Sequence, residues 1–294
     1  MSYLVHTLGF MSFDVPDLDG AVADYTEVMG LQVVERTTER AILTSNERRA
    51  ELILHRGASA CVRAVGLEAY DAAAVDEAAI RAPAQGLRVV SRTPTVEWCE
   101  RAVTLATEDG LLIEVHSPIP EDRPRRYLTS GVRPRRIDHI GPRSTDPERL
   151  ARQLQSVLGM KISDRTRDGE LIFMRTGNLR HHTFSIVQSP AAGMHHYAWE
   201  MFSFNDYLQI GNLLAQADLK YAYGPGRHGP GDNLFTYHQD RNGLMVECTV
   251  EMEVISHDSS QYKIWDLTNP KLMNQWGIDP QPWWLEHNTL FASA

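Results

Sequence analysis

The chain contains itself twice. A stretch near the start, LGFMSFDVPDLDGAVADYTEVMGL, and one near the middle, IDHIGPRSTDPERLARQLQSVLGM, follow the same plan. Each has a strand-like apolar run, then a turn at Pro16-Asp17 or Asp146-Pro147, then an amphipathic helix closing on Gly30 or Gly159. Both helices open on an acidic capping residue and finish at glycine, as helix termini prefer. The halves also end alike, with TEDGLLIEV at 107–115 and DRNGLMVEC at 240–248. Gly30 and Gly159 lie 129 apart and Glu114 and Glu247 lie 133 apart, so one unit of domain length is used twice. At that length each copy is large enough to bury its own core, which restricts the chain to two like halves.

Each half divides again. In the first, the strand-like SACVRAVGLEA precedes the helix-like DAAAVDEAAIRAPAQ and strands near 88–92, 101–106 and 111–116. In the second, GMHHYAWEMFS precedes FNDYLQIGNLLAQA and strands near 219–223, 234–238 and 244–250. The expectation is an α+β fold of four βαβββ units, two per half. Residues 1–118 form the first domain and 137–255 the second. A linker at 119–136, rich in proline and arginine, joins them. The stretch 256–294 carries Trp265, Trp276, Trp283 and Trp284 but has no repeat partner, and reads as a packing extension.

Composition narrows the partners. Hydrophobic residues at 43% and charged residues at 23% describe a soluble globular protein. A net charge of −9 argues against nucleic acid or an anionic membrane, since both recruit basic surfaces. No apolar run approaches the ~20 residues of a membrane span. The N-terminus MSYLVHTLGF has no basic stretch leading into a long apolar one, and Cys61, Cys99 and Cys248 are scattered. That fits a reducing cytoplasm, while the net charge says little about a small ligand, because a buried site sets its own local field.

The differences between the halves point to chemistry. His139 lies 20 residues before Gly159, and the residue 20 before Gly30 is Phe10. His196 has its counterpart near Arg63, on a looser alignment, while Glu247 keeps its chemistry in Glu114. His6 is out of register by four. A lone His139 would read as a satisfied core histidine. Glu247 within the apolar LMVEC is harder to explain that way, because a buried carboxylate is costly unless paired, hydrogen-bonded or metal-bound. Two histidines and a carboxylate on three strands of one half make a facial triad, which leaves three coordination positions open.

Together these motifs resemble the type I extradiol catechol dioxygenases of the vicinal oxygen chelate superfamily, particularly those acting on 2,3-dihydroxybiphenyl and other substituted catechols. The resemblance covers residues 3 to about 255 and rests on LGFMSFDV, DHIG, RHHTF (180–184), MHHYAWE (194–200) and the run from His228 to Glu247. It implies two barrel-like domains, the first without metal, and iron(II), or manganese(II), on His139, His196 and Glu247. It makes His182 the acid–base residue, with Tyr237 and His228 as further catalytic positions. His195 stands behind the ligand His196, and His195 and Asp232, the latter in the GPGRHGPGDN loop, become expected substrate contacts. It also implies a catechol and dioxygen as substrates and assembly as a homo-oligomer. Thr236 and Arg241 depart from the family signature, which has an apolar residue and a proline there.

Two other readings stay open. One is a glyoxalase-type isomerase, which draws four protein ligands from paired modules; here the early position is Phe10. The other is a non-enzymatic binding protein, which has no need of His182 with Tyr237. The stretch GPGRHGPG lacks the spacing of a phosphate loop, and no G-x-S-x-G elbow is present.

Overall fold

A computed structural model describes residues 2–123, 131–255 and 261–292, and the four expected units appear in it in order. The first is β1 (Val5–Val15), α1 (Leu18–Glu27), β2 (Gln32–Arg36), β3 (Arg40–Thr44) and β4 (Leu52–Arg56). The second is β5 (Cys61–Ala69), α2 (Ala72–Arg81), β6 (Arg88–Ser91), β7 (Ala102–Ala106) and β8 (Leu112–His116). The third is β9 (Arg136–Ser144), α3 (Pro147–Leu158), β10 (Lys161–Thr166), β11 (Leu171–Arg175) and β12 (Phe184–Gln188). The fourth is β13 (Gly193–Glu200), α4 (Asn205–Gln216), β14 (Tyr221–Arg227), β15 (Leu234–Gln239) and β16 (Met245–Val250). The helix starts follow the sequence cues: Asp17, Asp71 and Asp146 each accept a hydrogen bond from the third backbone amide beyond, at 2.9, 2.8 and 2.9 Å.

These strands form two sheets, in the orders β2-β3-β4-β1-β5-β8-β7-β6 and β14-β15-β16-β13-β9-β12-β11-β10-β17, where β17 is Lys263–Trp265. At each centre the first strands of two units run antiparallel, and each unit's last strand returns parallel to its first. That return is what aligns residues from three strands of one unit pair across a single sheet. The face of the first sheet that carries Phe10 is filled with Ile42, Ala50, Ile53, Val96, Cys99 and Ile119. In the second sheet the corresponding face carries histidines around a cavity.

The two domains meet through buried polar groups as well as through the shared core. Tyr25 of α1 donates to Asp240 at 2.8 Å, and its hydroxyl lies 2.5 Å from that of Tyr197. Burial pushes the Asp240 carboxyl up to about 6. The folded protein therefore holds this proton more tightly than the unfolded chain, so stability from this group is present below about pH 4 and is lost as pH rises to about 6. A rise of that size corresponds to about 3 kcal/mol. In urea titrations, Asp240→Asn is expected to gain about 3 kcal/mol on wild type between about pH 4 and pH 7. Parallel stability profiles would contradict this.

The chain beyond residue 260 is more than packing. β17 extends the second sheet along β10, the short helix α5 (Pro282–Glu286) follows, and Thr289 and Phe291 bridge to Met194 and Val62. The expectation of a packing extension gives way here, because this segment closes the cavity described next. The middle of the anticipated linker, 124–130, lies outside the described residues.

Candidate metal centre and its cavity

β16, β13 and β9 are neighbours, and they bring Glu247, His196 and His139 together. One ligand atom from each lies within 4.8 Å of the other two, and all three side chains are buried. Glu247 Oε2 is 3.1 Å from His139 Nε2 and 3.2 Å from His196 Nε2. Gly141 opposes His196 across the β9–β13 pair, and a Cβ there would meet the imidazole at 2.4 Å. The glycine of DHIG thus makes room for the ring.

The charges suit a divalent cation. Burial works against both charged forms in the His139–Glu247 pair, yet each partner stabilises the other. His139 rises to about 9, held there by Glu247 and Asp138, while Glu247 falls below the usual carboxylate range beside it. His196 is pushed well below the usual histidine range by burial, so it is neutral and able to ligate. A proton on His139 balances Glu247 without an ion; a cation would take over that task and displace the proton. His139 Nδ1 is 2.8 Å from Asp138 Oδ2, and Asp138 in turn pairs with Arg180 at 2.7 Å. Such outer carboxylates orient ligating imidazoles. Glu247 also accepts from Asn233 at 3.2 Å. The donor set fits iron(II) or manganese(II).

A cavity of about 350 Å³ opens beside the triad. Three expected catalytic residues line it: His182, His228 and Tyr237. The His182 ring centre stands 4.4 Å from that of His139, and burial keeps this imidazole neutral by driving its pKa well below the ordinary value. His228 Nε2 lies 3.0 Å from the Tyr237 hydroxyl. Burial, then the Glu247 charge, raise Tyr237 well above 10, so it stays a phenol. His195 lines the cavity too, but both its nitrogens are occupied, by the Trp284 carbonyl at 2.7 Å and His196 Nδ1 at 2.8 Å.

Asp232 does not reach the cavity. Its carboxylate is exposed and is held by Gln275 at 2.8 Å and Arg227 at 3.3 Å. The expected substrate contact is replaced by a tie between the loop and the C-terminal segment. Sequence reasoning also passed over Leu267, Leu272, Met273, Trp284 and Leu285, which form one wall of the cavity. Only the density of tryptophans hinted at them.

The first domain shows why its own copy of the site is closed. Val65 and Gly66 pair with Ile113 and Glu114 as Tyr197 and Ala198 pair with Val246 and Glu247. The counterpart of His196 is therefore Ala64, one residue from the expected Arg63, which is on the surface paired with Asp14. The Phe10 ring lies over Gly66, 2.3 Å from where a Cβ would stand. Glu114 is satisfied by Thr95 N at 3.0 Å and Thr95 Oγ1 at 2.6 Å.

Comparison with known proteins agrees with this architecture. The family model for the Glyoxalase/Bleomycin resistance protein/Dioxygenase superfamily matches residues 4–115 and 136–248, one match in each domain. Metapyrocatechase 2 of Cupriavidus necator is 26% identical over 94% of this chain and 90% of its own. A manganese-dependent 2,3-dihydroxybiphenyl 1,2-dioxygenase of Geobacillus genomosp. 3 is 24% identical over 82% and 83%. Among solved structures, a Mn(II)-bound glyoxalase from Novosphingobium aromaticivorans superposes with a TM-score of 0.89 at 28% identity, over 100% of this chain and 99% of the other. Homoprotocatechuate 2,3-dioxygenase from Arthrobacter globiformis, at 22% identity, shares the fold with a TM-score of 0.90 over 100% and 94%.

Proposed function

We propose that this chain, which belongs to the Glyoxalase/Bleomycin resistance protein/Dioxygenase superfamily, cleaves a catechol beside its hydroxyls with dioxygen. One carbon–carbon bond of the ring breaks, and both oxygen atoms enter the product. The observation that carries this reading is a buried two-imidazole, one-carboxylate set facing a cavity that also presents a neutral imidazole and a phenol. Relatives named as metapyrocatechase and dihydroxybiphenyl dioxygenase support it.

In this reading His139, His196 and Glu247 hold iron(II), with manganese(II) as the alternative, and residues 137–255 carry the chemistry while 1–118 bind no metal. Held there, the cation would supply Lewis-acid and electron-transfer chemistry toward a catechol and dioxygen. His182 is the proton carrier: neutral and buried, it accepts a proton from the bound catechol and returns one to the opening ring. Tyr237 orients a catechol oxygen: its O–H is given to the bare Nε2 of His228 at 3.0 Å, so the phenol oxygen is the atom that meets a catechol hydroxyl, and His228 is itself held by stacking on Phe235 with ring centres 3.9 Å apart. Leu171, Phe173, Leu272 and Trp284 exclude water from the ring. Assembly into a homo-oligomer in the cytoplasm, where the three thiols remain free, belongs to the same proposal.

The second reading, a metal-dependent isomerase, is favoured by the glyoxalase neighbour. One assay separates them. Purified protein is loaded anaerobically with iron(II), given a catechol, then exposed to air. A yellow ring-opened product with oxygen uptake is expected. Colourless turnover of a glutathione hemithioacetal, without oxygen uptake, would instead establish the isomerase.

A further inference from the structure

The site contains two His-His dipeptides, and they are built alike. In each, the two rings stand perpendicular with their Nδ1 atoms facing: 3.0 Å and 89° for His181–His182, 2.8 Å and 86° for His195–His196. Two facing imidazole nitrogens repel unless one is protonated and the other is not. The far nitrogen of the leading ring decides which. His195 Nε2 is 2.7 Å from the Trp284 carbonyl, which can only accept, so the proton is on Nε2. His195 Nδ1 is then an acceptor, His196 Nδ1 donates to it, and His196 Nε2 keeps its lone pair toward Glu247. His181 Nε2 makes no hydrogen bond but lies 3.3 Å from the Asp164 carboxylate, which favours a proton on that nitrogen, and the same sequence then leaves His182 Nε2 as the basic nitrogen.

The outer anchors come from, or are held by, the chain beyond residue 260. Trp284 supplies the first. Asp164 receives the Trp265 indole N–H at 2.6 Å and the Lys263 amide at 3.1 Å. A third carbonyl, of Met273, is 2.7 Å from His228 Nδ1, so His228 offers its basic Nε2 to Tyr237.

We infer that His181 and His195 are positioning residues, each fixing the next histidine as its Nδ1-protonated tautomer, with the C-terminal segment as the shared outer anchor. The tautomer is required, because a metal ligand or proton acceptor must present a bare nitrogen to the cavity. The roles served rest on the proposed function, but the His195 arm of the relay and the tautomers themselves are tested without substrate.

Manganese(II) is titrated into metal-free protein by calorimetry. His195→Leu removes the acceptor and is expected to weaken binding about 10- to 100-fold, the usual effect of losing a ligand's outer partner. His195→Asn, whose side-chain oxygen can take the place of Nδ1, stays within a few-fold of wild type. His181→Leu binds manganese like wild type but loses about 10- to 100-fold in kcat for catechol with KM unchanged, and His181→Asn recovers part of it. Equal losses in the leucine and asparagine variants, or loss of metal in His181→Leu, would reduce both residues to packing. Should a variant not fold, nitrogen-15 NMR of zinc-loaded wild type reads the tautomers directly, and an Nε2 proton on His182 would overturn the relay. Failure of wild type to bind manganese would defeat the proposed function instead. Wild type that binds and cleaves while His195→Leu binds equally well defeats only the relay.

Discussion

Glu247→Gln is expected to leave a folded protein that cannot hold its cation and turns over no catechol. The carboxylate is fully buried between two imidazoles, and it is the single anionic ligand in the set. Glutamine preserves the shape but removes the charge, so a 2+ ion would face two neutral rings where solvent cannot compensate. The loss should exceed the 10- to 100-fold typical of outer-partner substitutions, and we expect manganese(II) affinity to fall by more than about 100-fold. Turnover should fall below detection at metal concentrations that saturate wild type. Calorimetry on the metal-free variant, alongside circular dichroism to establish folding, checks both halves of the expectation. A folded variant with wild-type affinity would remove Glu247 from the ligand set. Glu114→Gln serves as the control: its carboxylate is tied to Thr95, so the metal stoichiometry should not change.

His182→Ala should behave in the opposite way, keeping its cation and losing its rate. His182 packs edge-on against His139 but is not one of the three converging donors. General acid–base catalysis by a positioned side chain contributes about 10²- to 10⁴-fold, so kcat should drop by that factor with manganese affinity within a few-fold of wild type. The rate loss belongs to proton transfer, which solvent isotope effects and rescue by added imidazole would reveal. Wild-type turnover in His182→Ala would cancel the acid–base assignment, and loss of metal would make His182 a structural support of His139.

The division between what was readable and what was not follows from the range of the contacts involved. The four units, the helix starts at Asp17, Asp71 and Asp146, and the convergence of His139, His196 and Glu247 depend on patterns that recur within a strand or helix or at the repeat spacing. A one-residue slip of register flips a strand's faces, so the repeat itself constrains the pairing. The looser alignment near residue 63 shows the limit: Ala64, not Arg63, matches His196 once the β5–β8 ladder is known. Arg63 follows from counting back from Glu114 as His196 stands to Glu247, and the count slips because Gly66 and Glu114 are one residue closer in sequence than Ala198 and Glu247.

The fold class and the doubled domain were thus determined by the sequence alone, because periodicity and register are properties of neighbouring residues; the sequence also singled out His139, His196 and Glu247, which the strands bring within reach of one another. The C-terminal wall was decided only in three dimensions. Trp284 lies 89 residues from the His195 it anchors, with no repeat partner to give its register, and Met273 lies 45 from His228. Asp232 was lost from the site for the same reason: its carboxylate turns outward to Gln275, 43 residues away. Main-chain carbonyls carry no residue signature, so a tautomer fixed by a carbonyl becomes visible only when the chain has closed around it.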